Sequence, residues 1–274
     1  MYRIVLLVCS IVICGAQQRA VTPLQKAVEA YQKGELGNAI EILDKQIALG
    51  PEKSDYYYLR GDIYSTQGQR EKALEDYSQG IKLSPDNPAG YFRRASEHFR
   101  VGKARESVAD FEKVAELYPQ RAAHLWQLGI AYYYANEFEK SRKLFESHQQ
   151  VNQQDVENAV WHFLGVAKLE DFDKAREKLI PISEDLRVPM TQIHAVFAGS
   201  AKPDDVIAAA RVGEPNTEQL KQRLFYAHLY LGLFEEARGN SKASLEHMSK
   251  AANEYSQKHY MGDVARTHLK LRSN

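Results

Sequence analysis

Residues 57–85 decide the fold, and they read YYLRGDIYSTQGQREKALEDYSQGIKLSP. Gly61 and Ala73 are small residues at positions where two helix backbones would cross, and large aromatic residues stand close to both. Gly68 permits the left-handed backbone conformation that ends a first helix. Pro85 stops a second helix because its ring excludes the helical conformation of the chain before it. The stretch therefore predicts two antiparallel helices joined by a short turn.

This pattern recurs along the chain with a period of 34 residues, and internal periods of this length indicate a stacked helical array. Six columns of residues keep or nearly keep the interval: Pro51, Pro85 and Pro119; Tyr57, Tyr91 and Leu125; Gly61, Ala95 and Gly129; Tyr64, His98 and Tyr132; Ala39, Ala73, Ser107 and Ser141; Leu43, Tyr77, Phe111 and Phe145. No single unit hides its apolar face, so each must pack on its neighbours.

The columns resemble the tetratricopeptide-repeat family. The resemblance implies an all-α protein, built as a right-handed α-α superhelix of about seven helix–turn–helix repeats. We expect repeats near residues 22–53, 54–87, 88–121, 122–154, 158–187, 188–217 and 224–257 of a solenoid spanning 22–257. Residues 258–274 are expected to form a C-terminal capping helix and tail.

The first residues predict export. Arg3 precedes an apolar run, and Gly15-Ala16 provides small residues for signal-peptide cleavage. We therefore expect residues 1–16 to be a signal peptide and the mature chain to be periplasmic or secreted, without a transmembrane span. Lipidation at Cys14 is the alternative. With Cys9 and Cys14 both in this segment, the mature chain would have no thiol.

The resemblance also implies a concave peptide-binding groove lined by the first helices of successive repeats. Aromatic residues and arginine commonly anchor protein interfaces. The expected lining is Tyr58, Asp62, Phe92, Ser96, Phe99, Arg100, Trp126, Ile130, Tyr133, Tyr134 and His162. Two alternatives are that these residues pack between repeats, or that the groove is covered by the chain's own termini or a second subunit.

A basic cluster occupies the third repeat, comprising Arg93, Arg94, Arg100, Lys103 and Arg105. A solvated helix face and a site for acidic peptide segments are its two interpretations. The chaperone-binding branch of the family grips terminal carboxylates through Lys, Asn and Arg. Because the comparable positions here hold Tyr58, Asp62, Arg93 and Ser96, that clamp is not expected.

Composition and motifs argue against enzyme and nucleic-acid functions. Lys plus Arg and Asp plus Glu both number 36, so no basic excess points to nucleic acid. The nine histidines are never three or four residues apart, and the common hydrolase and phosphate-binding motifs are missing. We expect no catalytic residues, no metal site and no cofactor.

The sequence therefore predicts a non-enzymatic adaptor or scaffold that binds other proteins or peptides. Its repeat layout and export signal are similar to those of NlpI-type bacterial envelope lipoproteins. That likeness implies an envelope adaptor that brings proteases and cell-wall hydrolases together, often as a homodimer. A self-associating structural protein and a carbohydrate-binding protein or hydrolase are the alternatives.

Overall fold

A computed structural model describes residues 21–50 and 53–273 of the chain. The predicted signal peptide, residues 1–16, lies outside these ranges. The chain divides between residues 51 and 52 into two compact units. The described residues form helices and connecting turns without a β-strand, which confirms the all-α class.

The N-terminal unit contains one helical hairpin. Helix α1 spans Pro23–Gln32 and helix α2 spans Leu36–Ala48. Thr22 starts α1 with a capping box: its hydroxyl accepts the Gln25 backbone N–H at 3.2 Å, and the Gln25 side chain accepts the Thr22 N–H at 2.8 Å. The two helices pack against each other as the repeat pattern requires.

The second unit begins with three regular hairpins, and in each the second helix returns along the first. Their helices are α3 (Ser54–Thr66), α4 (Arg70–Leu83), α5 (Pro88–Arg100), α6 (Ala104–Leu117), α7 (Trp126–Tyr134) and α8 (Phe138–Gln149). Gly129 lies where α7 crosses α8, and a Cβ atom added there would approach the Phe145 ring to 2.7 Å. A short 3-10 helix, Pro119–His124, is inserted before α7.

The next hairpins are less regular. They comprise α9 (Val156–Leu169), α10 (Phe172–Glu177), α11 (Met190–Ala198), α12 (Pro203–Ala210), α13 (Thr217–Ala237) and α14 (Ser241–Ser249). Residues 178–189 connect α10 to α11 without regular structure. Helix α13 begins at Thr217, earlier than the repeat expected at 224–257, because Asn216 caps it through the Gln219 N–H at 3.0 Å.

The last helix, α15 (Tyr260–Arg272), follows a π-helical turn at Lys250–Glu254. It packs on α14, as a capping helix would, and also on α5, far earlier in the chain. The Thr267 hydroxyl donates to the Phe99 carbonyl at 3.1 Å. Arg100 donates to Asp263 at 2.8 Å. Helix α15 therefore connects the end of the second unit to its second hairpin.

Candidate functional site

The residues expected to line an open groove are largely enclosed. Seven are buried: Tyr58, Ser96, Phe99, Ile130, Tyr133, Tyr134 and His162. Asp62, Phe92, Arg100 and Trp126 are half-buried. None of the eleven side chains is freely exposed. Other residues of the chain therefore occupy the space in which a peptide was expected to bind.

Helix α15 covers the central part of this set. The Tyr260 ring stacks on Phe99 at a centroid distance of 5.3 Å and meets Trp126 edge-on at 5.3 Å. His268 Nδ1 lies 3.0 Å from the Tyr134 hydroxyl. The chain's own C-terminus thus covers Phe99 and Tyr134, as one of the sequence alternatives anticipated.

The remaining members of the set make contacts between helices. Tyr58 packs against Gly80 on α4 and Gly90 on α5. The Tyr133 hydroxyl donates to Glu236 at 2.9 Å, and its ring meets Trp161 at 5.6 Å. These positions hold large aromatic residues because they fill the space between consecutive hairpins.

Asp62 and His162 have polar partners within the second unit. Asp62 accepts hydrogen bonds from the Tyr77 hydroxyl at 2.9 Å and from Arg93 Nε at 3.1 Å. His162 Nε2 lies 3.4 Å from Glu146. Burial lowers the pKa of His162, which favours the neutral ring. Both side chains therefore connect helices of the array.

Three arginines of the basic cluster, Arg93, Arg94 and Arg100, are engaged in ion pairs. Arg94 makes two hydrogen bonds to Asp110, at 2.8 and 2.7 Å. Arg100 binds Asp263 and also Glu97, the latter at 2.8 Å. These two guanidinium groups are therefore paired within the protein, which leaves neither free for an acidic peptide segment.

A cavity of about 620 Å³ opens beside Trp126, within the range of about 300–1,000 Å³ typical of ligand sites. We call it the tryptophan cavity, because both tryptophans of the chain line it. Its lining comprises His124, Trp126, Phe145, His148, Val151, Asn152, Asp155, Glu157, Asn158, Trp161, Arg187, Tyr226, His259, Tyr260 and Met261. Of the eleven expected groove residues, only Trp126 is in this lining.

Aromatic rings and a charged cluster share the walls of the tryptophan cavity. Phe145 stacks on Trp161 at 6.3 Å, and Tyr226 stacks on His259 at 5.9 Å. Arg187, from the irregular segment 178–189, reaches the start of α9 and binds carboxylates there. The site thus combines aromatic side chains with fixed charges.

The surface near the cavity exposes aliphatic side chains. Val151 lines the cavity and is exposed, and Leu186 and Val188 flank Arg187 in the chain. Leu186 is 85% exposed. Exposed apolar groups around a concavity are typical of protein-binding sites.

The sequence pattern did not reveal Asp155, Glu157, Arg187, Tyr226 or Tyr260 as site residues. Arg187 is 32 residues from Asp155, in a segment where the period has broken down, and Tyr260 comes from the last helix. These residues come together only through the packing of the irregular hairpins. The sequence contains another periodic feature outside the tryptophan cavity. The ion pairs Arg60–Asp76 and Arg94–Asp110 have equal spacing and lie one period apart.

Over residues 21–50 and 53–273, no group of three or more His, Cys, Asp or Glu side chains is arranged to hold a metal ion. Within the same ranges, no helix combines the length and apolar character that a membrane crossing requires.

Solved structures with the same fold share little sequence with this chain. A tetratricopeptide-repeat protein from Parabacteroides merdae ATCC 43184 is 18% identical, with a TM-score of 0.59 over 92% of this chain and 98% of that one. A MamA protein is 17% identical, with a TM-score of 0.52 over 57% and 85% of the two chains. The C-terminal part of a repeat protein from Cytophaga hutchinsonii is 16% identical, with a TM-score of 0.50 over 90% and 89%. These likenesses establish the fold.

Family models match the regular part of the array. A model described as TPR repeat matches residues 61–102, and one described as tetratricopeptide repeat matches residues 92–155. The search of curated proteins finds no match. The matched residues include the regular hairpins that repeat every 34 residues, so residues 61–155 carry tetratricopeptide repeats.

Proposed function

We propose that this protein is a non-enzymatic adaptor that binds a partner protein at the tryptophan cavity. The repeat family implies protein partners, and the observation that carries the proposal is the cavity itself. Helix α15 fills the centre of the expected groove, whereas the space beside Trp126 stays open. Exposed Val151 and Leu186 add apolar surface that a partner would cover.

The pairing of buried carboxylates with arginines supports a role without catalysis. Glu97, Asp110 and Asp263 are buried and paired with arginines. Removing either member of such a pair would leave an uncompensated buried charge, so these carboxylates are committed to contacts between helices. The binding site then depends on shape, aromatic faces and the cluster around Arg187.

Site-specific photocrosslinking tests the proposal. A photoreactive amino acid replaces Leu186, near the cavity, or Val212, a matched control that is 68% exposed on another segment. Each variant is irradiated in the source cells. We expect a discrete heterologous adduct from position 186 only, and we expect Trp126→Ala to abolish it while circular dichroism remains unchanged.

Three results would reject this proposal: the same adducts from both positions, no adduct from position 186, or adducts that survive Trp126→Ala. An adduct between two copies of this chain would instead support the self-associating structural role. Mass spectrometry of the crosslinked band distinguishes a copy of the chain from a different protein.

We propose further that the mature protein is exported, as the pattern in residues 1–16 predicts. The similarity to NlpI-type envelope lipoproteins rests on the same pattern and on repeat layout. Fractionation of cells carrying the full chain or a chain without residues 2–16 tests the location. Export predicts that only the full chain leaves the cytoplasm; equal cytoplasmic retention of both would contradict it.

A further inference from the structure

The polar wall of the tryptophan cavity, together with Asp185 next to it in the ion-pair cluster, holds more carboxylates than cations, and the N-terminus of α9 offsets part of this excess. Arg187 binds Asp155 at 2.7 Å, Glu157 at 2.7 Å and Asp185 at 2.6 Å. One guanidinium therefore faces three carboxylates. Among the cavity-lining residues that the structure describes, Arg187 is the only permanently charged cation. The cluster is two positive charges short of neutrality when its carboxylates are ionised.

Most carboxylate oxygens of this wall already accept hydrogen bonds from other groups of the protein. Asp155 Oδ2 accepts from Asn152 at 2.7 Å, and Asp155 Oδ1 accepts the Glu157 backbone N–H at 3.0 Å. The second Glu157 oxygen accepts from the Tyr230 hydroxyl. A neutral polar ligand such as a sugar would find Asn158 Oδ1 in this lining as a buried acceptor without a hydrogen-bond partner, whereas a cation responds in addition to the field of the carboxylates.

Burial raises the pKa of Glu157, which is the expected effect of removing a carboxylate from water without full compensation. A cation bound nearby would lower the free energy of the ionised form. A cationic ligand would thus favour the ionised form of Glu157, whereas burial alone favours the protonated form.

The other walls favour a cation for an independent reason. Trp126, Trp161, Tyr226 and Tyr260 present aromatic rings around the space. The faces of such rings attract cations, tryptophan most strongly, and arginine also stacks on them through its planar guanidinium. Because Leu186 and Val188 expose aliphatic groups beside Arg187, the chain that carries the cation would have apolar neighbours.

We infer that the tryptophan cavity receives an arginine side chain from an apolar segment of the partner protein, between the aromatic rings and the Asp155–Glu157 wall. This inference rests on the proposed function and specifies the chemistry of the partner. An acidic peptide, a neutral sugar and a second copy of this chain are the alternative occupants.

Intrinsic fluorescence tests the inference directly, since both tryptophans line the cavity. The purified chain is titrated with acetyl-Leu-Arg-Leu-amide. Matched titrations use peptides with citrulline or glutamate in place of arginine, and methyl glucoside. Citrulline preserves the length and planarity of arginine without its charge. We expect a saturable change for arginine, about tenfold weaker binding for citrulline, and none for glutamate or the glucoside.

Charge variants provide the second arm. Asp155→Asn removes one charge of the wall while retaining a residue that caps α9 well, so the fold should persist. It should weaken the arginine peptide about threefold to tenfold. Glu177→Gln removes the same charge from the exposed end of α10 and should leave the affinity unchanged.

Equal binding of arginine and citrulline, unchanged affinity in Asp155→Asn, saturation by the glucoside or the glutamate peptide, or no response to any peptide would each overturn the inference. These results are separable from failure of the adaptor role. If Trp126-dependent crosslinks at position 186 persist while citrulline binds as well as arginine, the adaptor role stands and the arginine assignment falls.

Discussion

Acid should destabilise the protein through His268, which helps to hold α15 against the earlier helices. His268 is 1% exposed and lies between the Tyr134 hydroxyl, 3.0 Å away, and the Ser244 hydroxyl, 3.4 Å away. Burial lowers its pKa from 6.5 to about 4. Glu236 opposes this shift, and the cations Arg272 and Lys168 reinforce it. The ring is therefore neutral in the folded protein at pH 7.

The sign and size of the effect follow from proton linkage. Because the folded state binds the proton more weakly than the unfolded state, the stability that His268 provides is complete above pH 6.5. This stability falls as the pH drops from 6.5 towards about 4. The difference between the two pKa values corresponds to about 3 kcal/mol at pH 4, a large part of the stability of an ordinary domain.

Urea unfolding measures this loss at several pH values between 7 and 4.5. The comparison variant is His268→Gln, whose amide can still bond Tyr134 but does not titrate. His228 also titrates, since burial lowers its pKa to about 4. The informative quantity is therefore the wild-type free energy of unfolding minus that of His268→Gln at each pH. We expect this difference to decrease by about 2 kcal/mol between pH 7 and 4.5. Parallel curves would refute the reasoning.

Three further predictions concern packing and ion pairs. Gly129→Leu should lower the free energy of unfolding by about 1–3 kcal/mol, because a side chain there meets the Phe145 ring; an unchanged urea midpoint would contradict the assigned helix crossing. Arg187→Gln should speed proteolytic cleavage within residues 178–189, since it removes the ion pairs that fix this segment to α9; an unchanged digestion rate would show that the pairs are dispensable. Asp263→Asn should weaken the attachment of α15 to Arg100. Hydrogen exchange in α15 should then accelerate more than in α3, and equal rates would argue against this attachment.

The sequence revealed the repeated hairpins because their contacts are local and periodic. Gly129 and Phe145 meet across one turn, and equivalent small and large residues recur at the same interval. The sequence of a single repeat is therefore enough to predict the hairpin that it forms. The equal spacing of the pairs Arg60–Asp76 and Arg94–Asp110 belongs to the same local order.

The sequence also selected Trp126 and Tyr134 as concave-side residues and offered the chain's own termini as one possible cover, but not the residues that make the contacts. Their partners Tyr260 and His268 come from the last helix and have no counterparts in the repeat pattern. The expected groove consequently contains a helix of the same chain, whereas the space beside Trp126 stays open.

By itself, the sequence determined an all-helical array of hairpins, because each hairpin is specified by small residues, large residues and turns that lie within one period. Only the tertiary structure decided that α15 reaches Arg100 and that Arg187 joins the start of α9. These contacts depend on the accumulated geometry of several irregular hairpins, since small changes in helix length and crossing angle determine where a distant segment arrives.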